Sequence, residues 1–307
     1  MATATDTTAR DPVYGIIMPV VFVFLWSTGF IGAKFGLPYV EPLTFLSMRF
    51  WMVVAGFLAF SLIVRAPWPK RAIDWMHIAV VGVLLHGVYL GGVFTSISLG
   101  VEAGTSALIV AIQPLLVALL AAPVLNEKVT ARQWLGLALG IAGVTLVVWR
   151  KLELGLGTPL GMGFSVIALI GITIGTLYQK RYCGTLDIRT GNVIQFTAAG
   201  LMLTVLAFAF ETREVDWTGE FIFAIGWLVV VLSFGATTLL LLLIRRGAAS
   251  QVSSLFFLVP AVAALIAWPL FGETFGPLAV AGMALVTVGV ALVTLGGGRQ
   301  AKPAVRS

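Results

Sequence analysis

The residues of this sequence with the greatest potential for chemistry are polar and aromatic side chains that stand far from any charged loop. They interrupt long apolar stretches, where an unpartnered polar group is costly unless it lines a cavity or finds a hydrogen bond. Their types suit the binding of a small solute better than bond-making chemistry. The candidates for solute binding are Trp26, Ser27, His86, Tyr89, Gln113, Thr173, Thr237, Gln251, Phe256 and Phe257.

Two of these candidates, His86 and Tyr89, are three residues apart and therefore share one face of a helix. Gln113 precedes Pro114, and a proline leaves a backbone carbonyl free to meet a ligand. An aromatic solute would stack on Tyr89 and on one residue of the Phe256–Phe257 pair, while the other is expected to face lipid. Each Ser or Thr hydroxyl has the alternative of bonding to its own helix backbone, and the alternative for Gln113 is packing.

Catalysis is disfavoured by what the apolar stretches lack. An enzyme site needs a nucleophile with a base, paired carboxylates or a metal cluster. Every Asp and Glu lies near the end of an apolar stretch or in a loop, His86 has no evident carboxylate partner, and Cys183 is the sole cysteine. We predict no catalytic residues, no metal site, since too few Cys and His are present, and no cofactor.

The elements that must position the candidates are membrane-spanning helices. Of the 307 residues, 59% are hydrophobic and 10% charged, and the mean hydropathy is +1.04. A spanning helix needs about 20 apolar residues, so the chain has room for roughly ten. We predict an all-α polytopic membrane protein with ten spans near residues 14–34, 42–64, 73–99, 103–124, 132–149, 159–180, 192–210, 218–243, 249–271 and 277–296.

The basic residues predict the orientation of these spans. The net charge of +6 does not indicate nucleic-acid binding, because the Lys and Arg residues lie in short loops and form no continuous patch. Taking every second loop places 14 of them on one side and 4 on the other, and the richer side is cytoplasmic. We predict a bacterial inner-membrane protein with both termini in the cytoplasm. Arg49 falls inside a predicted span and must pair or reach water.

An internal repeat appears when the sequence is shifted by 146 residues. Between residues 103 and 149, 14 of 47 positions are then identical without a gap. The informative coincidences, because these residue types are rare here, are Pro114 with Pro260, Pro123 with Pro269, Glu127 with Glu273, and Lys34 with Lys180. We predict one transmembrane domain with repeats at about 13–150 and 159–297, flanked by short tails at 1–12 and 297–307.

Each predicted repeat holds five helices, an odd number, so the second repeat enters the membrane from the opposite side. Such inverted repeats occur in many transporters, where the two halves exchange roles as access alternates. Glu127 and Glu273 are each predicted to cap the helix that follows them. Lys34 and Lys180 are predicted to reach the membrane surface, or alternatively to attract a solute carboxylate. Glycines spaced four apart, Gly136 and Gly140 among them, predict close helix packing.

The repeated pattern resembles a known family. It is similar to the EamA-type repeat of the drug/metabolite transporter superfamily and, within that superfamily, resembles amino-acid exporters of the YddG type. The residues that carry the resemblance are Pro114, Pro123, Asn126-Glu127, Gly136 and Gly143, with their counterparts in the second half, and the opening Leu25-Trp26-Ser27-Thr28-Gly29-Phe30.

The resemblance covers nearly the whole chain. It implies a monomeric exporter in the lipid bilayer, with amino acids, including aromatic ones, or similar metabolites as small-molecule substrate and no nucleic acid. The alternatives are export of other small metabolites or drugs, a nucleotide-sugar carrier, which would need more positive groups than this chain offers, and an integral membrane enzyme.

Overall fold

The computed structural model describes residues 16–101, 103–153, 158–271 and 276–295, which form ten apolar helices. Six are long and apolar enough to cross a membrane, and four have shorter apolar stretches. The prediction of ten helices is confirmed. Their bounds are α1 Met18–Gly36, α2 Pro42–Ile63, α3 Ala72–Ser98, α4 in two pieces Ala103–Val110 and Gln113–Leu125, α5 Ala131–Glu153, α6 Pro159–Tyr182, α7 Ile188–Phe210, α8 Gly219–Arg246, α9 Ala249–Phe271 and α10 Pro277–Leu295.

Four of the helices are interrupted, and the interruptions follow the 146-residue shift. Helix α3 contains a π-helical segment at Val83–Val88, and α8 contains one at Leu228–Ala236. Helix α4 breaks after Val110, and α9 passes through a 3₁₀ turn at Leu255–Phe257. Shifting residues 83 and 111 by 146 gives residues 229 and 257, each inside the matching interruption. The two halves therefore share local backbone irregularities as well as rare residues.

Glycines allow α5 and α10 to pack backbone to backbone. A Cβ added to Gly136 would lie 2.5 Å from the Gly289 carbonyl oxygen, and one added to Gly143 would lie 2.7 Å from that of Gly282. The relation is reciprocal. Under the 146-residue shift Gly136 corresponds to Gly282 and Gly143 to Gly289, so each contact joins a glycine of one half to the counterpart of the other glycine. Small residues at such a contact permit the close approach that packing within a membrane requires.

Two acidic residues join the start of α2 to the end of α7. The Glu211 carboxylate accepts hydrogen bonds from the backbone amides of Leu43 and Thr44, each at 2.7 Å. Glu41 in turn accepts from Thr212, through both its amide and its hydroxyl, and this hydroxyl bond is the main reason that the pKa of Glu41 is lowered. We call this end of the bundle the Glu41 end.

The opposite end is where α4, α6 and α8 finish and α9 begins, and we call it the Lys180 end. Glu127 does not cap the helix that follows it, contrary to the prediction. Its carboxylate accepts from the amide of Ala249, at 3.1 and 3.3 Å, and so caps α9 of the other half. The physical reason is that α9 begins beside the end of α4, an adjacency between repeats that the sequence does not disclose. Glu273 and the Lys34 side chain lie outside the described residues.

Candidate functional site

A cavity lies inside the bundle, between α1, α3, α4 and α9. Its free volume is about 20 Å³, little more than the ~10–15 Å³ that one water molecule needs, so a solute of amino-acid size fits only when the surrounding helices move apart. Ser106, near the start of α4, places the cavity between the middle of the bundle and the Glu41 end. The lining residues are Trp26, Tyr89, Val93, Ser106, Ala107, Val110, Ala111, Phe256, Val259 and Pro260.

Aromatic rings form one wall of the cavity. The rings of Trp26 and Phe256 meet edge to face, with centroids 5.4 Å apart, and Phe22 packs behind both at 5.3 and 5.5 Å. Tyr89 is only 4% exposed, and its hydroxyl interacts with the Trp26 indole, which is a hydrogen-bond donor. Rings fixed by such edge contacts present a firm apolar surface to a bound ring.

The helix interruptions position this wall. Tyr89 directly follows the π-helical segment of α3, Phe256 lies in the 3₁₀ turn of α9, and Ala111 lies in the break of α4. Interrupted helices turn their side chains away from the regular 3.6-residue order, and π-helical segments recur at functional sites. Three of the four helices that line the cavity therefore change their geometry where they reach it.

Hydroxyl groups supply the polar part of the cavity surroundings. Ser106, which lines the cavity, accepts a hydrogen bond of 2.9 Å from Ser165, and Ser165 is 2.7 Å from Ser96. This chain of hydroxyls joins α4, α6 and α3. The Ser27 hydroxyl lies 2.7 Å from its own helix carbonyl at Val23 and 3.2 Å from the carbonyl of Val259.

Among the sequence-predicted residues, the structure brings Trp26, Tyr89 and Phe256 together around the cavity. The expectation that one phenylalanine of the pair faces lipid is wrong, because Phe256 and Phe257 are 7% and 0% exposed. Phe257 packs on Gly140 of α5, where an added Cβ would lie 2.5 Å from the ring. The 3₁₀ turn places both rings toward the interior.

Gln113 lies next to the cavity but ties helices together. Its amide nitrogen donates to the hydroxyl of Ser253 at 3.0 Å and lies 3.5 Å from that of Thr176. The side chain is 0% exposed, and its amide oxygen has no hydrogen-bond partner. Gln113 thus joins α4, α6 and α9 below the aromatic wall and retains an acceptor for a further donor.

His86 points into a second polar cluster. Its Nε2 atom lies 3.2 Å from the Gln195 amide oxygen, and Gln195 donates to Gln179 at 3.2 Å. The imidazole stacks on Phe196 with centroids 4.2 Å apart. His86 and Tyr89 therefore share a helix but have different surroundings: His86 lies within the π-helical segment, and Tyr89 begins the regular helix that follows it.

The remaining predicted residues have other surroundings. Thr173 bonds to the Leu169 carbonyl of its own helix, as the alternative for each hydroxyl anticipated. Gln251 accepts from the amide of Ala248 and donates to the Thr294 carbonyl, so it caps α9 and contacts α10. Thr237 is buried, directly after the π-helical segment of α8. None of these three lines the cavity.

Sequence reasoning overlooked the small residues of α4 that face the cavity. Ser106, Ala107, Val110 and Ala111 lie on one face, since residues one turn apart are neighbours on a helix. Small side chains leave room for a solute, and four-residue spacing is the signal by which they were recognisable. In the described part of the chain, no three His, Cys, Asp or Glu side chains are grouped as metal ligands would be.

Contacts around Lys180 close the opposite end of the bundle. The Lys180 ammonium donates to the carbonyl of Ile244 at 3.0 Å and to that of Gly247, both at the end of α8. It does not simply extend to the membrane surface, because these carbonyls are left free where α8 ends. Glu127 lies within electrostatic range of Lys180. Burial raises the pKa of Glu127, while Lys180 and the Ala249 amide oppose that rise.

We call Lys180 and Glu127, with their partners Ile244, Gly247 and Ala249, the Lys180 clamp. It joins the ends of α4, α6 and α8 to the start of α9, using one cation and one carboxylate that are both half-buried. Arg181 adds a hydrogen bond to the Val124 carbonyl at the end of α4. A solute in the cavity would have to part these helix ends to leave through the Lys180 end.

Comparison with known proteins gives a consistent result. Residues 13–149 and 159–295 each match the profile of the EamA-like transporter family. The chain is 27% identical over 287 residues to the "Uncharacterized inner membrane transporter YedA" of Escherichia coli (strain K12), covering 93% of this chain and 91% of that protein. It is 24% identical over 285 residues to the "Uncharacterized transporter YvbV" of Bacillus subtilis (strain 168), covering 88% of each.

A solved crystal structure shares the fold. It superposes with a TM-score of 0.75 at 17% sequence identity and covers 92% of this chain and 97% of that one. At this sequence identity the similarity shows a shared fold and nothing about function. The overall helical fold is therefore one that another chain of different sequence also adopts.

Proposed function

Since the chain belongs to the EamA-like transporter family, which matches both of its halves, we propose that it exports amino acids, including aromatic ones, across the bacterial inner membrane. The observation that carries the proposal is the cavity with Trp26, Tyr89 and Phe256 on one wall. Aromatic rings favour edge or offset contact with a further ring. Hydroxyls and the free Gln113 oxygen offer partners to an ammonium group.

The proposed mechanism is alternating access by two inverted repeats. The matching interruptions in α3 and α8 and in α4 and α9 support this reading, as do the reciprocal glycine contacts of α5 and α10. Lys34 and Glu273 occupy the positions that correspond to Lys180 and Glu127 under the 146-residue shift. We propose that the Lys180 clamp is closed in one state of the transport cycle and open in the other.

Orientation in the membrane is testable by reporter fusions. The 14-to-4 distribution of basic residues predicts that both termini are cytoplasmic, which makes the Lys180 end the cytoplasmic one. Fusions at Ser307 and near Met1 to a reporter active only in the cytoplasm should both be active. A periplasmic signal from either terminus would contradict the proposed orientation and, with it, the direction assigned to the clamp.

Substrate class is testable by efflux from proteoliposomes preloaded with labelled amino acids. We expect phenylalanine to leave at least about tenfold faster than from protein-free vesicles, and unlabelled tryptophan or tyrosine to compete. A nucleotide sugar loaded in parallel should leave at the protein-free rate, because few positive groups are present for its phosphates. If no amino acid leaves faster than from the protein-free control, the amino-acid assignment is wrong even though the family is not in question.

A further inference from the structure

Arg49 is a buried cation in the middle of the bundle, and no carboxylate in the described part of the chain forms an ion pair with it. Its side chain is 1% exposed, on the inner face of α2. Within the described residues, the ion pair that the structure shows joins Arg189 to Asp187 at the start of α7, far along the chain from Arg49. An arginine inside a membrane span is costly and marks a functional pathway or a bound counter-ion.

The guanidinium is also short of hydrogen-bond acceptors. Its Nε atom donates to the Ser233 hydroxyl at 3.0 Å, and Ser233 in turn lies 3.2 Å from the Leu228 carbonyl. Its terminal nitrogen Nη1 is buried without any partner. Buried polar groups are normally hydrogen-bonded, and an unmet donor on a charged group points to an acceptor that the protein itself does not supply.

The neighbours of Arg49 make the site selective for negative charge. His86 lies within electrostatic range of the guanidinium, and the Phe50 ring lies 5.7 Å from the Arg49 Cζ atom and 6.1 Å from the imidazole. The neighbours that the described residues provide, Ser233, Phe50 and His86, carry no negative charge. Both π-helical segments meet here, since one carries His86 and the other Ser233, and such segments recur at functional sites.

We propose that Arg49, Ser233 and His86 form a binding site for a small anion between α2, α3 and α8. The ligand is either the carboxylate of a transported solute or an inorganic anion such as chloride. A guanidinium suits both, because it is always charged and presents several fixed N–H donors that can point at a carboxylate or at a halide. Tyr89 lines the cavity and lies one turn from His86, so α3 connects the cavity to the anion site. The binding of an anion does not depend on the proposed function, whereas a role of that anion in transport rests on it.

The test is thermal unfolding of the purified protein in detergent, with the anion varied at constant ionic strength. Chloride or formate, titrated against the bulky anion isethionate, should raise the unfolding temperature of the wild type saturably, by at least about 2 °C. Phenylalanine and phenylalaninamide, which lacks the carboxylate, distinguish the two sources. A rise with phenylalanine alone assigns the site to the solute carboxylate, and a rise with chloride or formate alone assigns it to a free anion and leaves the amino-acid proposal to its own test.

Variants link the effect to the site. Arg49→Gln should abolish the rise, and Ser233→Ala should increase the anion concentration at half-effect at least threefold. Arg132→Gln is the matched control, since it removes the same charge from an exposed position at the start of α5 and should behave as wild type. If Arg49→Gln does not fold, the anion concentration at half-effect in Ser233→Ala decides whether the anion binds at this site. No anion-dependent rise in the wild type, or an equal rise and midpoint in every variant, would overturn the proposal.

Discussion

Replacing Tyr89 with alanine is expected to slow phenylalanine efflux by about tenfold to a hundredfold. The Tyr89 ring lines the cavity beside Trp26 and is 4% exposed. Losing its contact with a bound ring removes a stacking term of about 0.5–1.5 kcal/mol. Losing its apolar surface raises the total to about 1.5–3 kcal/mol, and each 1.4 kcal/mol corresponds to about tenfold. Threonine makes no stacking contact, so its efflux should fall by less than about threefold.

Two variants control for this measurement. Tyr89→Phe keeps the ring and loses only the hydroxyl beside Trp26, so it should retain most of the phenylalanine flux. Tyr182→Ala makes the same change at an exposed position at the end of α6 and should transport both solutes at the wild-type rate. Efflux of phenylalanine and threonine is measured side by side in the four proteins. Equal slowing of both solutes by Tyr89→Ala would indicate damage to the fold, and no slowing of either would place the site elsewhere.

Replacing Lys180 with methionine is expected to shift the equilibrium at the Lys180 end from the closed towards the open form, by a factor similar to that expected for Tyr89→Ala. The variant keeps most of the side-chain length but loses two hydrogen bonds from the ammonium to the carbonyls of Ile244 and Gly247. Hydrogen bonds from a charged group contribute about 1.5–3 kcal/mol, equivalent to a shift of about tenfold to a hundredfold between closed and open forms. Glu127→Ala should act in the same direction by uncapping α9 at Ala249.

The protein contains its own reporter for this opening. Cys183, the sole cysteine, follows Lys180 by three residues and is 4% exposed. Burial raises its pKa to about 12, and the thiolate is the reactive form, so a membrane-impermeant maleimide should label the wild type slowly at neutral pH. Lys180→Met should be labelled at least about tenfold faster, whereas Arg132→Met, which alters an exposed cation at the same end, should match the wild type. Unchanged labelling together with unchanged efflux would mean that the clamp does not hold this end closed.

Raising the pH tests the same thiol in the wild type. Because its pKa lies above the ordinary value, the thiolate fraction at neutral pH is small and grows about tenfold for each pH unit until the pKa is approached. The labelling rate should therefore still be rising between pH 8 and 9 in the wild type. In Lys180→Met we expect the labelling rate to rise with pH in the same way but from a higher starting rate, because solvent reaches the thiol more often.

The helices themselves follow from the sequence. Apolar stretches of spanning length, separated by short charged loops, leave ten helices as the arrangement that satisfies every backbone group inside a bilayer. The repeat was visible for a similar reason, since coincident residues of rare types such as Pro114 with Pro260 and Glu127 with Glu273 stand out against an apolar background. Trp26, Tyr89 and Phe256 were chosen because they are polar or aromatic side chains that lie far from any charged loop.

Contacts between the halves were decided by the tertiary structure alone. Glu127 was expected to cap the helix that follows it, but α9 of the other half begins within reach of its carboxylate, and both π-helical segments bring residues together that lie far apart along the chain. Local patterns encode where helices form, not which helix each side chain meets, and for Phe256 and Phe257 not even which side chain faces inward. The surroundings of Arg49 belong to the same class, because only the packed bundle reveals that Ser233 and His86 approach it and that no described carboxylate pairs with it. Sequence thus determined the helices and their duplication, and three-dimensional packing determined the cavity, the clamp and the buried charge.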